Sequence, residues 1–345
     1  MTDHNKLIRR ITEEYRIPQT GTDLKKVLEI CLPAMNSLCA DPPEDWLKYS
    51  FSFLQSLFFP GNFKVEKVTE RRKAVEFYLK VLNRFFEREQ AEIPFDARRD
   101  FRLMQPEEEA YCGIREEYSR FEKSFHEGFV YAFLRLSRVC TPYNTLGHVA
   151  GVHHVAMHMV RQLLHSEVSV DPGLMSAAAM VHDMGKFGCR PAEARRVPYL
   201  HYYYTYQFCR LYNIPVIGSI ASNHSVWDLE LDNLSCESLL LIYADFRVKS
   251  VFGPDHSEQI HFWTLKESFD VILSKLDNVD DVKKQRYMRV YAKLKDFEDY
   301  LISLGCSTGL DTEDGTPVFS AADEAGARFH EDGSFVGQKY PVLMK

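Results

Sequence analysis

The sequence predicts an all-α protein, and three observations predict it. Apolar residues recur every three or four positions along most of its 345 residues. Clusters of Pro, Gly and Asp interrupt these stretches as helix breaks do. Neither a phosphate-binding glycine loop nor a dinucleotide fingerprint, both of which follow a strand, is present. At 45% hydrophobic and 26% charged, the chain has the composition of a globular protein and is long enough to bury a core unaided by disulfides or zinc.

In chain order, residues 1–138 form a helical region. Thr22 or Asp23 caps a helix from Leu24 that Pro33 kinks or interrupts, and Asp41-Pro42-Pro43 is a break. An aromatic helix over 46–59 ends at Pro60-Gly61, and Val75, Leu79, Leu82 and Phe86 mark a longer one. Pro94 and Pro106 bracket an irregular link. Ile114, Tyr118, Phe121, Phe125 and Phe129 predict one long amphipathic helix from 107 toward Leu136, its aromatic stripe facing a core rather than a ligand. No chemistry is assigned to this region, which is expected to shape a pocket or support self-association. After a turn at 140–144, helices are expected over 146–165, 174–183, 199–212, 215–223, 236–251 and 281–304. A central region therefore spans 139–305, followed by an irregular extension over 306–345 with a small hairpin at 329–335.

Charge and cysteine usage narrow the function. A net charge of -7 argues against a general binder of nucleic acid or anionic membranes and leaves a small anionic substrate open. The eight cysteines are scattered, without a CxxC pair or a secretory leader, as expected of reduced thiols in a cytoplasmic protein. No apolar run approaches the roughly 20 residues that span a bilayer.

The chemistry concentrates between Tyr143 and Ser250. His148 lies one turn before Val152 on the helix face completed by Ala156, Met159, Val160, Leu163 and Leu164, with His153, His154, His158 and His165 as rivals. His182-Asp183 follows a small-residue helix, and Gly185 reads as its stop. Neighbouring side chains on a helix diverge by about 100°, so this pair suits two metals, the carboxylate bridging. His201 and His224 are isolated, and each alone reads as structural or surface. Asp245 ends the apolar run 239–244, where a carboxylate needs a cation, a metal or a solvent opening.

The ordered series His148, His182-Asp183-Met184-Gly185-Lys186, His201, Asn223-His224 and Ala244-Asp245 resembles the HD-domain superfamily of metal-dependent phosphohydrolases over about residues 142–250. It is particularly similar to the bacterial branch that cleaves symmetrical diadenosine tetraphosphate. Asn223 departs from the second His of many dinuclear members, and the gap between the first His and the His-Asp pair is longer. The resemblance implies an HD-domain helical bundle in which His148, His182, Asp183 and Asp245 hold one metal, His201 and His224 a second, and Asp183 bridges.

Imidazole and carboxylate ligands suit two divalent ions of Fe, Mn, Ni or Zn. The expected reaction is hydrolysis of a phosphoester or phosphoanhydride bond, in a nucleotide or related small phosphorylated molecule, by metal-activated water. Asp183 and Lys186 are the expected catalytic residues. Lys186, Arg190, Arg247 and Lys249 are candidates for substrate phosphate, as are Arg195 and Arg196; each is equally accounted for as a solvated charge. Lys249 is placed one turn beyond Asp245 on the same helix face. A homodimer is allowed, and neither nucleic acid nor membrane is an expected partner. Two other readings remain: a di-iron oxygenase on an HD-like fold, and a nucleotide-binding regulatory module without turnover.

Overall fold

Capped, amphipathic helices build the chain, in order, around one buried helix. The computed structural model describes residues 4–15, 22–64, 68–92, 103–141, 145–224, 234–252, 258–275 and 280–310. In the N-terminal region these form α1 (His4–Glu14), α2 (Leu24–Leu38), α3 (Trp46–Phe58), α4 (Thr69–Glu92), α5 (Arg115–His126) and α6 (Val130–Cys140). The Asp23 carboxylate accepts the N–H groups of Lys25 and Lys26 at the start of α2, and Asp45 does the same for Leu47 and Lys48 at α3. Pro33 is accommodated inside α2.

The single helix expected from 107 to 136 is three pieces: a tight turn at Pro106–Tyr111, then α5 and α6. The second break falls at Gly128-Phe129. Phe129 adopts a left-handed φ of 65°, and a Cβ on Gly128 would lie 2.6 Å from the Ser124 carbonyl oxygen. Only glycine permits so close a return of the chain.

The central region continues with α7 (Thr145–Leu163), α8 (Pro172–Val181), short turns at Met184–Gly188 and Pro191–Arg196, α9 (Val197–Leu211), α10 (Pro215–Ala221) and α11 (Cys236–Arg247). Strands β1 (Val248–Phe252) and β2 (Glu258–Phe262) pair antiparallel with Val248 opposite Phe262, and α12 (Leu265–Lys275) and α13 (Asp281–Ser303) follow. The helix expected to reach 251 thus ends at Arg247, and Lys249 lies on a strand. Neither the hairpin nor α12 was expected. The hairpin packs on α7 at Gly151, where a Cβ would stand 2.8 Å from a Val248 methyl and 2.9 Å from an Ile260 methyl.

α7 is buried along nearly its whole length, from Val149 through Val160. Around it lie α6, α8, α11 and the hairpin. One contiguous apolar core runs from α1 to Leu310 and crosses residue 138. Phe51 of α3 stacks on Phe133 of α6 at 4.8 Å, and Phe58 lies edge-on to both Phe133 and Phe208 of α9. Among the described residues no helix is long and apolar enough to cross a membrane. The hairpin expected at 329–335 lies outside the described residues.

Candidate metal centre

Five helices deliver six side chains to one place. His148 comes from the first turn of α7, His182 and Asp183 from the end of α8, His201 from α9, His224 from just past α10, and Asp245 from the last turns of α11. His182, Asp183, His201 and His224 are buried, whereas His148 and Asp245 are partly open.

The Asp183 carboxylate lies at the middle, its two oxygens facing two groups. Oδ2 is 3.7 Å from His148 Nε2 and 3.8 Å from His182 Nε2. Oδ1 is 3.9 Å from His201 Nε2 and 3.8 Å from His224 Nε2. Asp245 Oδ1 completes the first group at 2.9 Å from His148 Nε2. Ligand atoms of His148, His182 and Asp245 lie within 4.8 Å of one another, as do those of His182, Asp183 and His224. All six metal ligands expected from the sequence therefore converge.

Local backbone fixes the imidazoles. His182 Nδ1 donates to the Ala179 carbonyl at 2.7 Å, His201 Nδ1 to that of Val197 at 2.7 Å, and His224 Nδ1 to that of Ala221 at 2.6 Å. A carbonyl only accepts, so in each ring the proton sits on Nδ1 and Nε2 keeps its lone pair. His201 Nε2 and His224 Nε2 stand 3.2 Å apart. His182 Nε2 is fully buried and has no hydrogen-bond partner among the described residues. Such an orphaned atom is costly unless something binds it, and together with the carboxylate oxygens it fits an imidazole-seeking divalent ion.

Electrostatics agree with that donor set. Burial would push the Asp183 carboxyl up, but Lys186, His182, His148 and His201 outweigh it and hold it well below the usual carboxylate range. Burial is likewise overcome at Asp245, by the hydrogen bond and charge of His148 and by Lys249. Burial lowers His201 and His224 to about 4, and lowers His182 too. The rings are therefore neutral near pH 7, as metal ligands must be. Lys186 Nζ is bonded to Asp183 Oδ2.

The other basic candidates diverge. Lys249 Nζ donates to the Asp245 backbone carbonyl at 3.1 Å, so it stays beside the centre although β1, not a helix, carries it. Arg190 is exposed and paired with Glu193. Arg247 is not at the centre: it is 1% exposed, its Nε donates to the Trp263 carbonyl at 2.8 Å, and Nη1 bonds the Tyr243 hydroxyl at 2.7 Å. Its guanidinium holds α11 to the segment after β2. Among the rival histidines, His153 bonds Ser176, His158 bonds the Ser307 carbonyl, and His154 stacks on Phe262.

Three further contacts support the centre. The Thr205 hydroxyl donates to the His182 carbonyl at 2.8 Å and accepts the Gly185 N–H at 3.0 Å, tying the His-Asp segment to α9. Gly185 is needed for contact rather than as a helix stop, since a Cβ there would fall 1.8 Å from the His201 carbonyl oxygen. Tyr202 lies against the rings of His201 and His224, with centroids 3.8 and 4.7 Å away. Comparison with protein-family models, characterised proteins and solved structures finds no match to this chain.

Proposed function

We propose that this chain is a metal-dependent phosphohydrolase of the HD-domain type, acting on a phosphoester or phosphoanhydride of a nucleotide or a related small phosphorylated molecule. The observation that carries the reading is the division of Asp183: one oxygen toward His148 and His182, the other toward His201 and His224. A carboxylate so placed suits a bridge between two ions of Fe, Mn, Ni or Zn. His148, His182, Asp183 and Asp245 would hold one, and Asp183, His201 and His224 the other. Bound there, such a pair supplies hydroxide near neutral pH and neutralises charge on a phosphoryl group.

The chain's own residues account for the rest. Backbone carbonyls keep three Nε2 atoms unprotonated and aimed inward. Lys186, the part-exposed neighbour of Asp183, would present its ammonium to a substrate phosphate, and Lys249 stands at the Asp245 edge.

The test combines metal content after loading with Mn(II) or Fe(II) and phosphate release from a panel of nucleotides and dinucleoside polyphosphates. The expected result is two ions per chain, with release at least about 100-fold lower in Asp183→Ala. Two irons per chain, oxygen consumption and no phosphate release would assign the centre to a di-iron oxygenase instead. Nucleotide binding without turnover would make it a regulatory module.

A further inference from the structure

Lys186 rides on the short turn Met184–Gly188, and it alone within that turn is more than marginally exposed. The turn is gripped from two sides. Thr205 of α9 holds its beginning at Gly185. Its end is held by the N-terminal region, more than a hundred residues away in sequence. Gln55 Nε2, on α3, donates to the Phe187 carbonyl at 2.8 Å. Asn62 Nδ2, just after α3, donates to the Gly188 carbonyl at 2.7 Å. Carbonyls at the end of a helical turn have no partner within it, and these two amides supply what is missing. The Phe187 ring lies edge-on to Phe51 and Phe133 at 5.9 and 5.1 Å. Gly188 leaves room for Phe59, whose ring a Cβ would approach to 2.7 Å.

We infer that Gln55 and Asn62 are positioning residues: by fixing the Phe187 and Gly188 carbonyls they set where the Lys186 ammonium stands relative to Asp183. The inference rests on the reading of Lys186 as a ligand for a substrate phosphate. It gives the N-terminal region a part in the centre, gripping the turn through its backbone. Displacement of a binding group by about 1 Å costs up to roughly 100-fold, so the loss of two anchors reaches Lys186 without touching a metal ligand.

The test uses the full chain loaded with Mn(II), comparing wild type with Gln55→Met/Asn62→Leu, which keeps bulk and removes both donors. Inorganic phosphate binding is measured by calorimetry, KM and kcat on whichever panel compound is hydrolysed, metal content by elemental analysis, and amide hydrogen exchange over 184–188. The expected result is a phosphate Kd and a KM about tenfold higher, kcat within about twofold, unchanged metal content and faster exchange in the turn. Unchanged Kd, KM and exchange would overturn the inference, as would metal loss in parallel with phosphate binding. Should wild type bind no phosphate, the anion reading of Lys186 fails, and the exchange rates alone decide whether the amides hold the turn. If the double variant does not fold, Asn62→Leu at its half-buried position carries the same comparison.

Discussion

At the scale of single residues the centre depends on closeness. A methyl on Gly185 would meet the His201 carbonyl oxygen at 1.8 Å and the Thr205 nitrogen at 2.4 Å, both rigid backbone atoms. Gly185→Ala must therefore push α9 away from the His-Asp segment, at a cost of about 3 kcal/mol in urea-denaturation stability. Thr205→Val keeps the volume and removes only the hydroxyl bridge, so it should lose about 1–3 kcal/mol. Equal stability of the two variants and wild type would refute the close-contact account. Lys186 gives a complementary case. With Lys186→Met, the buried Asp183 keeps its histidines but loses its fixed cation, and the metal-free chain should lose about 3 kcal/mol. Saturating Mn(II) should return most of that loss, because the ion replaces the missing charge. The six converging side chains were legible in the sequence because residue type and order name them. Thr205 was not, since a hydroxyl bridging two backbone groups leaves neither periodicity nor charge to read.

At the scale of elements, legibility followed the strength of local signals. The helix start at Leu24 was readable from its capping residues, of which Asp23 makes the cap, and the start at Trp46 from the Asp41-Pro42-Pro43 break, although its cap, Asp45, was not singled out. The break at Phe129 was not, because the apolar spacing runs on through it while the backbone turns back. The end of α11 was missed for a similar reason: Val248 continues the apolar run, but its neighbours pair with β2. α7 carries the element-scale prediction. Burial lowers His153 to about 3 and His158 to about 4, in the latter case against the bond to the Ser307 carbonyl, with Arg247 and Arg161 adding to the lowering. Both are thus neutral in the fold, while in the unfolded chain they take up protons below about 6.5. Stability should be full above that pH and fall as pH drops toward the folded values. At pH 5 each should have cost about 2 kcal/mol. His153→Gln, which can keep a bond to Ser176, should flatten the decline by about 1.4 kcal/mol per pH unit between pH 6 and 4 in denaturation curves. A variant with the wild-type slope would show that His153 is protonated in the fold.

At the scale of the molecule, the question is whether residues 1–138 and the centre fold as one body. The turn expected at 140–144 suggested a boundary near 138, yet such a break registers chain direction, not packing across it. The described structure runs one core through that point, with Phe51 on Phe133, Phe58 on Phe208, and Gln55 and Asn62 bonded to the turn beside Asp183. Separating the two would expose Phe187 and Phe208, both buried now, along with the carbonyls that the amides satisfy. Scanning calorimetry of the full chain should accordingly give one transition in which calorimetric and van't Hoff enthalpies agree. A chain of residues 139–345 should lack near-UV circular dichroism and take up no metal. Ligation at the centre should raise the whole transition, since the site draws on α7 through α11. At a metal concentration about 100 times Kd the gain is about 2.7 kcal/mol, or about 4 °C for a chain of this length. Two transitions, of which only the later one shifts with metal, would instead mark 138 as a true domain boundary and confine the metal's effect to the central region.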